Sequence, residues 1–369
     1  MKLTVSVGTR PQLIKISPLI RQIGKEKDII LQFIDTGQHY DHELNRTFYE
    51  ELDLPQSTFL NIGSGTPGEQ IGKAIIAIEK EILKFKPDNL LVIGDTNSTL
   101  AGALAAKKQG IRLGHIESGL RSFDRSMPEE INRILVDHIS DQLFAPTENA
   151  IKNLKKEGIP DDRITFTHDI TVDACRENYE IAKKRSVIMK TYDLRQRDFI
   201  LVTSHRQENV DDKRNLKKLV DALTKLEKPV IFPVHPRTLK NLAAYGLLEK
   251  LQKKCTLTKP LGYFDFLTLL GNSACVITDS GGVQKEALIL KTPCITIRTT
   301  TEWPETIQLG ANVLVGLDEK MLLRETEKRT TEGFIKSVQK IKNPYGDGKT
   351  SELILKKIGE RTSSSPSLE

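Results

Sequence analysis

The chain has 369 residues, 38% of them hydrophobic and 28% charged, with a formal net charge of +6. That is enough for two domains with separate cores and the composition of an ordinary globular protein. Its apolar runs are too short and too interrupted by charge to span a bilayer, and the basic excess lies on helix faces such as 152–156 and 336–342, without interleaved aromatics; neither a membrane nor a nucleic-acid partner is expected.

The start, Met1-Lys2-Leu3-Thr4-Val5, is already a strand pattern and lacks the basic region, apolar run and cleavage site of a signal peptide. Strands are predicted at Leu3–Val7, Ile29–Asp35, Asn89–Ile93, Ile111–His115, Gln142–Ala145 and Arg163–Phe166. Helical patterns lie between them. The best marked follows Thr66-Pro67-Gly68-Glu69, which has capping-box spacing and a first-turn proline; Ile71, Ile75, Ile78 and Ile82 then form one apolar stripe. A charged, helix-like stretch from Thr171 to Arg197 reads as a junction. The strand series restarts beyond it at Phe199–Thr203, Val230–Pro233, Cys255–Lys259, Ala274–Thr278, Pro293–Ile297 and Asn312–Val315.

This rhythm predicts an α/β protein of two Rossmann-like domains with parallel sheets. The expected division is a first domain over 1–170, a junction helix region over 171–197, a second domain over 198–345, a C-terminal helix over 346–360 and a disordered serine-rich tail over 361–369. Four cysteines occur, none in a CxxC pair, and Cys275 and Cys294 fall in apolar runs as buried thiols. A reducing, cytoplasmic compartment fits.

Chemistry-bearing residues gather at strand exits. Gly8-Thr9-Arg10-Pro11 follows the first strand, and Arg10 beside free helix N–H groups is a place for a phosphate, or a surface arginine on a plain turn. Asp95, Glu117 and Glu129 are acid–base candidates, because carboxylates at the ends of buried strands are costly unless charge is wanted there. The structural alternatives are that Asp95 caps the following helix and that Glu129 only starts its own. His205 and His235 stand in strand-end loops and suit ligand or interface contact. Asp279-Ser280-Gly281-Gly282 precedes a helix; two glycines let backbone N–H groups approach an anion, and Glu286 is placed to accept a ribose hydroxyl. The alternative is a helix start capped by Ser280. One H-x-x-H occurs, His39-Tyr40-Asp41-His42, with no third ligand nearby, so no metal is expected.

In this order, Gly8-Thr9-Arg10-Pro11 with Lys15, Thr36-Gly37-Gln38-His39, Gly94-Asp95-Thr96, Glu117-Ser118-Gly119-Leu120-Arg121, Pro128-Glu129-Glu130-Ile131-Asn132-Arg133, His205-Arg206-Gln207-Glu208-Asn209, His235-Pro236-Arg237 and Asp279-Ser280-Gly281-Gly282 with Glu286 resemble the non-hydrolysing UDP-N-acetylglucosamine 2-epimerase family over roughly residues 1 to 345. The resemblance implies a GT-B-like fold with a ligand cleft between the domains, a homodimer and no cofactor. It implies reversible conversion of UDP-GlcNAc to UDP-ManNAc by loss and re-addition of UDP through 2-acetamidoglucal. Carried to matching positions, Asp95, Glu117 and Glu129 are the acid–base carboxylates and His205 the histidine beside the diphosphate. Arg10, Lys15, Arg133, His235, Ser280, Gly281 and Gly282 bind substrate, and Glu286 binds ribose.

The chain departs from the family pattern at Gln12 (usually glutamate), Ser118 (commonly alanine), Gln207 (commonly arginine) and Trp303 (often arginine). The last suggests a modified substrate such as a UDP-2,3-diacetamido uronic acid. A hydrolysing epimerase releasing ManNAc and UDP, and a catalytically silent nucleotide-sugar sensor, are the other readings. Some bacterial relatives carry an activating UDP-GlcNAc site, and Gln38 and His235 lie in the matching regions.

Overall fold

The computed structural model describes residues 1–38 and 48–360, so His39, His42 and the serine-rich tail lie outside the described residues. The chain forms two compact units. The first takes 1–174 together with the described residues from Tyr345 onward, and the second takes 175–344.

In the first unit, β1 (Lys2–Val7), β2 (Ile30–Asp35), β3 (Thr58–Phe59), β4 (Asn89–Ile93), β5 (Arg112–Ile116), β6 (Gln142–Ala145) and β7 (Ile164–Phe166) form one sheet. Its order is β3-β2-β1-β4-β5-β6-β7 and the pairings are parallel. Asn89–Ile93 is buried at every position, as a strand covered by helices on both faces must be. Thr66 caps helix Pro67–Phe85 by accepting from Glu69 N, while Glu69 reaches back to Thr66 N (3.1 Å). Ile78 and Ile82 then enter the core, with Ile71 and Ile75 at its margin.

In the second unit, β8 (Ile200–Thr203), β9 (Val230–Pro233), β10 (Cys255–Thr258), β11 (Cys275–Thr278), β12 (Cys294–Thr296) and β13 (Asn312–Leu314) make a parallel sheet of order β10-β9-β8-β11-β12-β13. All four cysteines are buried free thiols; burial pushes Cys275 and Cys294 up to about 12.

Both sheets are wound outward from a central strand. The chain runs β1 to β3 on one side and restarts with β4 on the other side of β1; it repeats this with β8 to β10 and then β11. At such a reversal neighbouring strand-end loops part, leaving a crevice at the carboxyl ends of β1/β4 and of β8/β11.

The stretch 171–197 is not one helix. Helix Ile170–Arg185 ends before Ser186, whose hydroxyl donates to Asp265 (2.5 Å) and accepts from Ile188 N (3.3 Å), opening the short helix Ile188–Thr191. The boundary between the units falls inside the longer helix. Helix Thr350–Gly359 packs on helix Arg10–Ile23. Thr350 Oγ1 donates to Thr167 O (2.9 Å), and Ser351 N donates to Asp173 (2.8 Å).

Candidate active site

The first unit gathers its charged groups at the β1/β4 crevice. Gly8 leaves β1 so close to the start of helix Asn97–Lys108 and to the end of β2 that a Cβ there would lie 2.0 Å from Ser98 Oγ and 2.3 Å from Thr36 Oγ1. Gln12, buried in the first turn of helix Arg10–Ile23, accepts from Gly8 N (2.9 Å) and Thr9 N (3.2 Å) and donates to Ile93 O (2.6 Å). A glutamate could accept both N–H groups but not donate to the carbonyl, so the amide ties the β1 turn to the end of β4. Arg10 opens that helix with its guanidinium 3.7 Å from the centre of the Phe48 ring.

One turn on, Lys15 Nζ grips both carboxylate oxygens of Glu117, at 2.7 and 2.8 Å. Burial opposes the ammonium charge, but Glu117, with Asp169 and Asp95 farther off, outweighs it and holds Lys15 above its ordinary pKa. Glu117 follows β5 with φ +70°, a left-handed backbone that a side chain adopts only when its surroundings enforce it. Gly94, also left-handed at φ +71°, gives its N–H to Ile116 O (3.0 Å) and passes close beneath the Glu117 carboxylate. Asp95 does not cap the following helix; Thr96 does. The Asp95 carboxylate instead takes Arg133 Nη2 at 2.5 Å. Arg133 Nη1 turns to Glu130 (2.9 Å), which is buried and accepts the N–H groups of Ser122 and Phe123 (both 2.9 Å). Glu129 is exposed on the first turn of helix Pro128–Ile139, one turn before Arg133. Lys15–Glu117 and Arg133–Asp95 are thus two ion pairs, with Asp95 within electrostatic reach of Lys15 and Glu129 on the helix that supplies the arginine.

Beneath them lies a buried network that the sequence did not mark. His115 joins Asp137 through Nδ1 (2.6 Å) and the Gly94 carbonyl through Nε2 (2.8 Å). The other oxygen of Asp137 accepts from Gly119 N (2.9 Å) and Arg121 Nη1 (2.7 Å), and Arg121 forks onto Glu157 at 2.8 and 2.7 Å. Burial disfavours the Asp137 charge, but His115 and Arg121 prevail and hold its pKa below the usual carboxylate range. One fully buried carboxylate therefore braces both loops that present Asp95 and Glu117.

In the second unit, Asp279 does the same for the β8/β11 crevice. It is fully buried and accepts from Ser204 Oγ (2.9 Å), His205 N (3.0 Å), Arg206 N (3.1 Å) and Asn209 Nδ2 (3.1 Å). His205 Nδ1 stands 3.4 Å from Asp279, and the ring is half exposed. Ser280 occupies the cap position of helix Gly281–Ile289, yet its hydroxyl makes no capping bond. The first N–H groups of that helix have no partner within it, the geometry that favours an anion. Glu286 accepts the Tyr263 hydroxyl (2.8 Å). Trp303 lies beside Gly281, its indole nitrogen 3.5 Å from where a Cβ would stand, with Lys285 Nζ 4.0 Å from the ring centre. His235 caps helix Pro236–Ala244, accepting Arg237 N at Nδ1 (3.2 Å), and is exposed. Among the described residues no cluster of three or more metal-ligating side chains occurs, and no helix is long and apolar enough to cross a membrane.

Two α/β Rossmann-like units, each presenting polar groups at its strand reversal, define a protein of the GT-B-like class. A model of the family described as UDP-N-acetylglucosamine 2-epimerase matches residues 21–359, and the chain belongs to that family. It is 47% identical over 365 residues to the UDP-N-acetylglucosamine 2-epimerase of Methanocaldococcus jannaschii, covering 96% of this chain and 98% of that one. It is 42% identical over 360 residues to the UDP-2,3-diacetamido-2,3-dideoxy-D-glucuronate 2-epimerase of Pseudomonas aeruginosa, with 96% and 98% covered. The solved structure of the Methanocaldococcus jannaschii enzyme superposes with a TM-score of 0.88 at 46% identity, over 97% of this chain and 99% of that chain.

Proposed function

We propose that the chain interconverts UDP-N-acetylglucosamine and UDP-N-acetylmannosamine without net hydrolysis, by anti-face proton exchange at C2 coupled to loss and return of UDP at C1. The observation that carries this reading is the Glu117 carboxylate, set on a left-handed backbone and gripped through both oxygens by Lys15, which also lies within electrostatic reach of Asp95. The C2–H of a neutral sugar is a poor acid, so its removal needs a base fixed in place. Asp95, Glu117 and Glu129 supply the base and the acid that returns a proton to the opposite face. The departing diphosphate gathers charge, which Arg10, His205 and the N–H groups at Ser280–Gly282 stabilise. Glu286 receives the ribose, and Lys15, Arg133 and His235 complete the contacts to substrate. Return of UDP to 2-acetamidoglucal requires that both stay bound together and away from water.

Incubation with UDP-GlcNAc in heavy water tests this. Deuterium should enter C2 of both recovered UDP-sugars without lasting free UDP. Accumulation of free ManNAc and UDP would replace the proposal with hydrolysis, and bound but unchanged sugar would replace it with a sensor. One second reading is a 2,3-diacetamido uronic acid substrate of the kind named for the 42% identical Pseudomonas aeruginosa relative. Running that sugar in parallel decides it: the second reading holds only if it exchanges while UDP-GlcNAc stays inert.

A homodimer in the cytoplasm is part of the same proposal. Ile76 and Leu83, two turns apart on helix Pro67–Phe85, and Ile131 and Leu135 on helix Pro128–Ile139 are exposed apolar side chains. Both helices pack on helix Asn97–Lys108, which puts a coverable apolar surface on the first unit. Light scattering should return twice the chain mass, falling to one chain mass in Ile76→Glu/Leu83→Glu; a monomeric wild type ends the idea.

A further inference from the structure

The loop after β12 brings a carboxylate to the start of helix Gly281–Ile289. Glu302 Oε2 lies 3.0 Å from the position a Cβ on Gly281 would take, so it rests against backbone where the helix carries its positive end. Its two oxygens accept Arg298 Nη1 (2.8 Å) and Nη2 (3.0 Å), and Arg206 Nη2 approaches at 3.5 Å. Arg298 is nearly buried. The pair Arg298 and Arg206 also faces other carboxylates: Asp279 and Glu208 lie within electrostatic reach of Arg298, and Glu208 within 3.8 Å of Arg206. Burial disfavours the Glu302 charge, but the two arginines prevail and hold its pKa low.

The arginine fork that accepts a carboxylate side-on accepts a phosphate in the same way. Helix start and two guanidinium groups thus form an anion seat, and the anion in it belongs to the chain. A substrate diphosphate brought to Ser280–Gly282 would meet Glu302 at close range, and two anions sharing that seat repel. The side chain can leave without the loop unfolding, because its neighbour Thr301 is anchored separately, donating to Gln284 (2.6 Å) and receiving Trp303 N (3.0 Å). Half of the Glu302 side chain is already open to solvent.

We infer that Arg298 and Arg206 are diphosphate ligands and that Glu302 is a displaceable internal anion that holds them in place until the nucleotide takes them over. The inference rests on the nucleotide-sugar reading of this unit. It implies that the chain binds a nucleoside diphosphate more weakly than its cations alone would, because Glu302 must first be exchanged out, and that the arginines arrive already oriented.

Titration calorimetry on the full chain with UDP and with uridine tests it. Glu302→Gln should bind UDP roughly three- to fivefold more tightly, the order of one partly exposed ion pair, with uridine affinity unchanged. Arg298→Lys, which loses the fork, should weaken UDP, and the gain from Glu302→Gln should vanish in the Arg298→Lys background. Glu302→Gln binding UDP no tighter than wild type overturns the inference and identifies Glu302 as a direct ligand or a bystander. Equal tightening of uridine overturns it as well. Wild-type protein that does not bind UDP at all would instead remove the nucleotide reading on which the inference stands.

Discussion

Glu117→Gln is expected to lower epimerisation by about 10³-fold or more, the scale of a lost acid–base group, while UDP affinity stays within about twofold. The amide can still accept one bond from Lys15 and leaves the φ +70° backbone in place, so the variant should fold as the wild type does. Steady-state rates set beside UDP calorimetry make the check. A parallel loss of both would reassign Glu117 to architecture, and undiminished turnover would move the chemistry to another group.

Asp137→Asn should have the largest effect on stability. It withdraws a charge that His115 and Arg121 both use where the Asp137 side chain is fully buried. Breaking such a pair from one side typically costs about 3–5 kcal/mol, because the remaining charge is left uncompensated. The Gly94 and Gly119 loops lose their common brace, so turnover should also fall, by about 10²-fold for a modest displacement of reacting groups. Denaturant unfolding followed by far-UV circular dichroism reads the first effect; a change under about 1 kcal/mol would show that the hub is dispensable. The pH dependence has a definite sign. Asp137 has its pKa depressed on folding, so its contribution is complete above the ordinary value of 3.8 and disappears as pH falls through the lower folded value. The difference between wild type and variant should therefore be flat across neutral pH and shrink only in strong acid.

The strands were legible because buried parallel strands are short apolar runs and their spacing announces the crossover helices. Asn89–Ile93, Gln142–Ala145 and Val230–Pro233 have the predicted ends. Thr58–Phe59 was missed, since two residues carry no periodicity. Asp95, Glu117 and His205 stand out in the sequence as polar groups at strand exits, which is a local signal; Lys15 and Arg133, inside helices, entered through the resemblance. The partners that hold them were not, because partnership depends on topology. Asp137 lies 22 residues beyond His115 and looks like any polar residue on a helix face; only the winding of β5 and its neighbours brings the two together. Asp279 read as the beginning of a loop motif, and its four donors come from 70 to 75 positions earlier. Within the helix-like stretch 171–197 the break at Ser186 was not legible; there the hydroxyl meets Asp265, 79 residues away.

The first unit is interrupted: residues 175–344 are made after its sheet and before the segment that packs against helix Arg10–Ile23. Domains emerging from the ribosome usually mature in the order of their synthesis. Here that order is inverted at the last step. The later unit is a single uninterrupted stretch and can finish while the earlier one still waits, on the nascent chain, for the residues from Tyr345 onward.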